Sequence, residues 1–337
     1  MLNFDEPRFI GIQTGAMDLA AGLQDAVDKC LAAGAQNIFF LGSGGAGILM
    51  HPAAQLLATR SEFGVCTAWP AELAQTGSRQ LGPQSIVVIP SLSGTTPEST
   101  AALGYCKAAG ATVFALTGNA DSPLARDADY AFTNQAADDT SSESFYLQSL
   151  VIALAVMRAR DEIADADQLI DELRLLPELL AGVKRSAEDR AAQVAATIAA
   201  DPYHIITGAG SVWPEACYYG MCILEEMQWI RTRPVHAADF FHGTLELVED
   251  DVSVIVFKGE DAARPLADRV EAFAARYTSK LTVLDAADYD LPGISAATRA
   301  LISPVILATV LERISAHVEV IRDHPLVTRR YYKRVRY

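Results

Sequence analysis

Three apolar segments in the first half of the chain recur in the second half at a spacing of about 167 residues. Each segment is short and is followed by a turn and then by a helical pattern. This near-constant offset predicts two copies of one fold, and short apolar strands that alternate with helices predict parallel sheets covered on both faces. The matching pairs are residues 40–44 with 205–210, 85–91 with 252–258, and 112–116 with 281–285.

The expected fold class is therefore α/β, with two tandem doubly wound parallel sheets, each in three α/β/α layers. The 337 residues give room for about two ordinary domains. We predict a first domain at residues 1–160, a charged helical connector at 161–200 and a second domain at 201–337.

Composition limits the partners. The net charge is −15, from 27 basic and 42 acidic residues, which argues against a nucleic-acid surface and against an anionic membrane. No apolar run predicts a membrane span, and the first residues, MLNFDEPRF, lack the pattern of a signal sequence. The five cysteines form no C-x-x-C pair and the six histidines are scattered, so we expect no metal site and no cofactor. These features predict a soluble, cytoplasmic protein, and the acidic charge does not exclude an anionic small substrate.

Residues 90–99, PSLSGTTPES, form what we call the hydroxyl turn. They follow a buried strand and precede a helix, where backbone N–H groups are free to bind an anion. Gly94 permits close approach, and hydroxyl donors surround it. A polar loop that caps the helix is the alternative, but the number of hydroxyls favours a phosphate site. The hydroxyl residues are Ser91, Ser93, Thr95 and Thr96.

The corresponding stretch of the second half reads KGEDAA and lacks the hydroxyl cluster, so we expect one phosphate site in each chain.

Gly42, Gly44 and Gly47 match the G-x-G-x-x-G pattern of dinucleotide sites. That pattern also requires an acidic residue after the next strand, and here this strand is followed by Ala68, Trp69 and Pro70. We therefore interpret these glycines as a close approach to a smaller ligand, with Ser43 facing the same crevice as the hydroxyl turn.

A third contribution is possible at the start of the long helix that follows residue 140. Ser141, with its neighbours Thr140 and Ser142, could either cap this helix or contact the ligand through hydroxyl and N–H groups.

Residues 222–250 hold most of the ionisable candidates for proton transfer. Glu225 and Glu226 are adjacent and so point in different directions on a helix. His242 follows two phenylalanines and precedes a glycine. A carboxylate and a neutral imidazole are the groups that proton transfer on a sugar requires.

Several motifs together resemble the sugar isomerase (SIS) domain family. They are SLSGTTPES, TGNADSPLARDADYAF, the tandem halves, EEMQW with DFFHGTLE, and the final RDHPLVTRRYYKRVRY. More narrowly, the chain looks like the isomerase half of glucosamine-6-phosphate synthases and like fructosamine-6-phosphate deglycases. The resemblance implies flavodoxin-like domains, and we expect no glutaminase domain ahead of the match.

The resemblance also implies roles for individual residues. Ser43, Ser91, Ser93 and Thr96 match the phosphate-binding turns, and Ser141 matches a sugar-contacting position. Glu226 matches the catalytic glutamate and His242 the acid or ring-opening histidine. Lys333 falls where the synthases carry a lysine near C2 of the sugar. Trp229, Tyr331 and Tyr332 are candidates for the pocket beyond C1.

The sequence departs from the family at the histidine turn, which reads Phe241, His242, Gly243, Thr244 without the usual cation and proline. This departure and Lys333 leave open the choice between substrates.

From the resemblance we expect hydrolytic deglycation of a fructosamine 6-phosphate. The alternatives are an aldose–ketose isomerase of sugar phosphates and a non-catalytic phosphosugar-binding regulator. The resemblance further implies a homodimer with shared active sites, in which the histidine comes from the partner chain.

Overall fold

The computed structural model describes residues 1–332 and 334–336, and it divides into two compact units. The first unit is Glu6–Glu178. The second is Leu179–Tyr337 together with Met1–Asp5. The predicted domain boundaries at residues 160 and 200 stay a prediction.

The helices of the first unit begin with α1 and end within α10, whose residues 176–200 include the division between the units. The strands are β1 Asn37–Leu41, β2 Gly64–Ala68, β3 Ser85–Ser91, β4 Thr112–Thr117 and β5 Tyr130–Thr133. The helices are α1 Glu6–Asp18, α2 Ala20–Ala32, α3 Gly44–Ile48, α4 His51–Arg60, α5 Pro70–Thr76, α6 Pro97–Ala108, α7 Pro123–Asp127, α8 Ser141–Ala159, α9 Ala166–Leu173 and α10 Leu176–Ala200.

All five strands of the first unit are parallel, in the order β2-β1-β3-β4-β5. Central strand β3 is buried along its whole length, because both of its faces are covered. Val87 and Ile89 pack on one face against Leu103 and Cys106 of α6. Side chains alternate along a strand, so Ile86 and Val88 point to the opposite face, where they are also buried.

The second unit holds a four-stranded parallel sheet in the order β7-β6-β8-β9. Val254, Val256 and Ile205 pack on one face against Val270 and Ala274 of α12. The elements are β6 Tyr203–Gly208, α11 Trp213–Tyr218, β7 Arg231–His236, β8 Ser253–Lys258, α12 Arg264–Tyr277, β9 Leu281–Asp285 and α13 Ala296–Ile321, with a π-helical segment at Tyr219–Glu225.

In the described part of the chain, one helix, α13, is long and apolar enough to cross a membrane. Its apolar window is 83% buried inside the protein, which is the behaviour of a core helix. Pro304 lies within it and cannot donate to the carbonyl of Ala300. The hydroxyl oxygen of Ser211 lies 3.4 Å from that carbonyl.

The predicted fold class is confirmed: both sheets are parallel and doubly wound, and helices cover both sides of each. The strand order of the first unit is the flavodoxin-like one. Strand β7 and the π-helical segment are among the elements that were not predicted. Strand β7, RTRPVH, lies at the edge of its sheet and is only partly buried, so it lacks the apolar run by which a strand can be predicted. The π-helical segment was expected as ordinary helix.

Candidate functional site

The glycines at 42, 44 and 47 form a tight turn between β1 and α4. A Cβ atom at Gly42 would lie 2.6 Å from the nitrogen of Gly47 and 3.0 Å from Cγ of Pro90, so the turn has no room for side chains at this point. Gly44 has a φ of +57°, which glycine adopts without strain. The motif is therefore explained by the packing of the turn itself, and it needs no dinucleotide.

The register of β1 against β3 leaves the end of β3 without a partner on the β1 side, next to this turn. Their pairing ends at Phe40 and Val88, so β3 continues for three more residues, through Pro90, beyond its contact with β1. Pro90 has no N–H to donate, and it lies where β1 offers no partner. The glycine turn and the hydroxyl turn thus leave the carboxyl ends of adjacent strands at the point where the strand order reverses, which is where open α/β sheets bind ligands.

Ser91 is the internal brace of the hydroxyl turn. Its side chain is buried; its hydroxyl oxygen accepts from the N–H of Gly94 at 3.2 Å and lies 3.1 Å from the hydroxyl of Thr96. Gly94 has a φ of +63°, and a Cβ atom there would collide with Ser122. The chain therefore curls tightly enough to bring its N–H groups and hydroxyls together.

Ser93, Thr95 and Thr96 form the accessible side of the turn. Ser93 accepts from the N–H and the hydroxyl of Thr95 at 3.3 and 3.0 Å. Thr96 stands at the N-cap of α6, yet its hydroxyl makes no capping bond to that helix. Together with half-buried Ser43, which also makes no capping bond to α3, these hydroxyls are available to a ligand.

A cleft of about 70 Å³ opens on the β2 side of the glycine turn. Gly42, Gly44, His51, Thr67 and Trp69 are among its lining residues. Burial lowers the pKa of His51, which keeps its imidazole neutral. This cleft could not be predicted from the sequence, because His51 begins α4 whereas Trp69 precedes α5, so its histidine and tryptophan come from separate segments.

Ser141 is the first residue of α8 and is buried. With Leu92, Thr117 and Gln148 it lines a narrow gap behind the hydroxyl turn. The side-chain oxygen of Gln148 is buried without a hydrogen-bond partner in the described residues. Thr140 turns its hydroxyl back to Ala137 and does not cap the helix.

In the second unit, an internal carboxylate occupies the turn that corresponds to the glycine turn. Gly210 has a φ of +62°, like Gly44 in the first unit. The carboxylate of Asp261 accepts from the N–H and the hydroxyl of Ser211 at 2.7 and 2.6 Å. By the repeat, Asp261 corresponds to Gly94 of the hydroxyl turn, so an acidic side chain lies where the first unit leaves a glycine.

Lys258, which corresponds to Ser91, is enclosed by carboxylates as well. Its Nζ lies 2.7 Å from both Asp268 and Glu271 and 3.8 Å from Asp285. This charge network occupies the strand end that in the first unit carries hydroxyls.

Glu226 directly follows the π-helical segment of the second unit and is its C-cap residue. Its side chain is 36% exposed, and its Oε1 accepts from Nε of Arg329 at 2.8 Å. Glu225 points elsewhere, as expected for adjacent helical residues, and accepts from the N–H and hydroxyl of Thr232. π-Helical turns are rare and occur frequently at functional sites.

His242 ends a short 3₁₀ turn, Phe240–His242, and is exposed. Gly243 follows it with a φ of +145°, a conformation that only glycine adopts readily. Phe240 anchors the turn in the core, while the imidazole points away from it. The expectation of an imidazole in a partly apolar turn is met by the flanking aromatic residues, but the ring itself faces outward.

Lys333 lies outside the described residues. Burial raises the pKa of all five cysteine thiols, those of Cys30 and Cys106 to about 11, so they are protonated at neutral pH and are poor nucleophiles. Within residues 1–332 and 334–336, no three His, Cys, Asp or Glu side chains are grouped as metal ligands.

The chain contains two parallel α/β units, and in the described residues one of them carries a hydroxyl-rich turn at the point where its strand order reverses. This arrangement is typical of tandem-domain proteins that bind one small anionic ligand. The chain belongs to the SIS domain family. The family model matches residues 33–158, and a curated relative is 31% identical over 95% of this chain and 97% of its own length.

That relative is the fructosamine deglycase FrlB of Bacillus subtilis. The fructoselysine 6-phosphate deglycase of Escherichia coli is 27% identical over 71% of this chain and 68% of its own length. Among solved structures, a proposed phosphosugar isomerase of Bacillus subtilis superimposes with a TM-score of 0.86 at 30% identity, over 96% of this chain and 99% of that one.

Proposed function

We propose that the protein is a phosphosugar-processing enzyme that hydrolyses a fructosamine 6-phosphate to an aldose 6-phosphate and a free amine. The observation that carries this proposal is the 31% identity to a fructosamine deglycase over nearly the full length of both chains. The reaction needs water and no cofactor. A cytoplasmic location accords with five free cysteines.

In this proposal the first unit binds the phosphate. The hydroxyls of Ser43, Ser93, Thr95 and Thr96 and the N–H groups of both turns donate to its oxygens, and Ser91 holds the hydroxyl turn in shape. Ser141 contacts the sugar. Gly42 packs directly against Gly47 and Pro90, so no side chain fills the glycine turn at this point. Gly44 and Gly94 adopt the positive φ angles that the two turns require.

Glu226 and His242 of the second unit transfer the protons. Glu226 removes a proton from C1, which is acidic because it lies next to the C2 carbonyl of the open-chain sugar, and returns one to C2. The C=N bond that forms between C1 and the nitrogen is an imine, and water splits it into aldehyde and amine. His242 assists ring opening and donates the proton that the departing amine needs. Lys333 is assigned a supporting role near C2.

Arg329 fits this assignment of Glu226. Its guanidinium donates to Oε1 and fixes the position of the carboxylate, while Oε2 stays available to the substrate. The exposure of His242 fits the proposal that the enzyme is a homodimer with shared active sites, in which each histidine serves the partner subunit.

The direct test is to incubate the purified protein with a panel of fructosyl-amino-acid 6-phosphates and to assay aldose 6-phosphate and free amino acid. Both products should form in equal amounts. Glu226→Gln should lower kcat by at least about a thousandfold, as expected for loss of the base, while phosphate binding stays nearly intact. Full activity of this variant would contradict the assignment of Glu226 as the base.

Aldose–ketose isomerisation of a sugar phosphate is the second candidate, favoured by the similarity to a proposed phosphosugar isomerase. It uses the same proton transfer without C–N cleavage. Interconversion of sugar phosphates without release of any amine would favour it. Binding of hexose phosphates with no turnover of any compound would instead indicate a regulator.

A further inference from the structure

The last residues of the chain form a basic segment in an otherwise acidic protein. Residues 324–336 contain five Lys and Arg and no Asp or Glu, against a net charge of −15 for the whole chain. The segment is held against the residues that follow Glu226. The amide of Gln228, which is fully buried, donates to the carbonyl of His324 at 2.7 Å. The guanidinium of Arg322 donates to the carbonyl of Gln228 at 3.3 Å.

Two consecutive arginines of this segment are used differently. Arg329 is 14% exposed and donates to Glu226 and to the carbonyls of Leu326 and Thr328. Arg330 is exposed, and its guanidinium carbon lies 4.1 Å from the centre of the Trp229 ring. No carboxylate within the described residues is paired with Arg330, so its N–H donors remain open at the edge of the stack.

Trp229, the aromatic residue of this stack, has an unfavourable backbone conformation. Its φ is +55°, which is unusual for a bulky residue and persists only where the surroundings enforce it. The ring of His324 packs edge-on against it, with centroids 4.5 Å apart. Trp229 follows Glu226 by three residues, so the next turn of the chain carries the stack beside the proposed base.

We propose that Arg330, positioned over Trp229, binds the carboxylate of the amine half of the substrate and thereby selects fructosamine 6-phosphates of amino acids over those of simple amines. This inference rests on the proposed function. In such a substrate the carboxylate carbon is three bonds from C1 when the amine is an α-amino group. An anion site next to the group that removes the C1 proton is therefore in the required neighbourhood, and a guanidinium binds a carboxylate through two parallel hydrogen bonds.

The test compares two substrates that differ by the carboxylate alone: the 6-phosphates of N-fructosylglycine and of N-fructosylmethylamine. The wild-type protein should prefer the glycine conjugate in kcat/KM by about 10- to 100-fold, the range of a charge-assisted hydrogen-bond pair. Arg330→Gln should abolish this preference and leave activity on the methylamine conjugate unchanged. Arg330→Lys should retain part of it.

Arg336→Gln is the matched control, since Arg336 is an exposed arginine of the same segment. It should keep the full preference. An unchanged substrate ratio in Arg330→Gln, or no preference in the wild type, overturns the inference. If the wild type turns over neither compound, the proposed function fails. Calorimetric measurement of Kd for the same two compounds then tests Arg330 as the carboxylate-binding residue. The wild type should bind the glycine conjugate more tightly, and Arg330→Gln should bind the two equally.

Discussion

Among single residues of the hydroxyl turn, Ser91 holds the shape of the turn and Thr96 is placed to bind the ligand. The hydroxyl of Ser91 is buried and bonds to Gly94 and Thr96, whereas Thr96 is half-buried and its hydroxyl makes no capping bond to α6. An N-cap residue that leaves its helix uncapped forgoes about 1 kcal/mol; here the hydroxyl of Thr96 lies 3.1 Å from that of Ser91, and its half-exposed position leaves it within reach of a ligand.

Thr96→Val removes that hydroxyl and keeps the shape of the side chain. We expect KM for the sugar phosphate to rise about tenfold with little change in kcat, because the phosphate is bound equally in the ground state and the transition state. Steady-state kinetics provide the measurement. Thr100→Val, one turn further along α6, is the control, since its hydroxyl bonds only to backbone carbonyls of its own helix. Equal effects of the two variants would contradict a binding role for Thr96.

The sequence was informative for residues that follow a pattern and uninformative for those that depend on packing. The hydroxyls of the turn and the pair Glu226 and His242 could be proposed from composition, spacing and resemblance. Arg329 could not, because a basic residue about a hundred positions away gives no local sign that it pairs with Glu226. The outward direction of His242 was equally hidden, since flanking phenylalanines indicate burial of the turn but not of the ring.

At the scale of elements, the parallel strands were the most predictable part of the molecule. Central strands β3 and β8 are buried on both faces and therefore appear as unbroken apolar runs. Edge strand β7 is half-exposed and carries two arginines, so it escaped prediction. The π-helical turn could not be foreseen either, because it has the same composition as an α-helix and differs only in its i→i−5 hydrogen bonds, such as that from Glu226 to Met221.

The end of β9 makes a prediction about pH. Burial acts to raise the pKa of Asp285, but the paired hydrogen bonds from Arg264, the N–H of Ala287 and the nearby charge of Lys258 outweigh it and hold the pKa below its usual value of 3.8. A carboxyl whose pKa is lower in the folded state stabilises the fold above its unfolded pKa and loses that contribution as the pH falls through its folded pKa.

Asp285→Asn should therefore lower the free energy of unfolding by about 2 kcal/mol between pH 5 and pH 7, with a deficit that shrinks as the pH falls below about 4. Urea unfolding at a series of pH values measures it. Asp288→Asn, a change at a half-exposed carboxylate nearby, serves as the control and should have a much smaller effect. A deficit that stays constant down to pH 3 would show that charge is not the source of the stabilisation.

At the scale of the whole molecule, the proposed homodimer can be tested by complementation. Glu226→Gln and His242→Asn are each expected to be inactive. If each site takes its glutamate from one subunit and its histidine from the other, a mixed dimer contains one site with both defects and one with neither. Random mixing after unfolding and refolding should then restore about a quarter of the wild-type activity. No recovery would place both residues in the same subunit's site.

The carboxylate of Asp261 gives the second unit a ligand of its own. Because the carboxylate belongs to the same chain as the turn, its effective concentration there far exceeds that of phosphate in free solution. Free anions therefore do not displace it from the N–H and hydroxyl of Ser211. Duplication of an anion-binding unit would ordinarily double the number of binding sites. Here one copy is saturated from within, so the proposed exchange of ligand falls to the hydroxyl turn of the first unit alone.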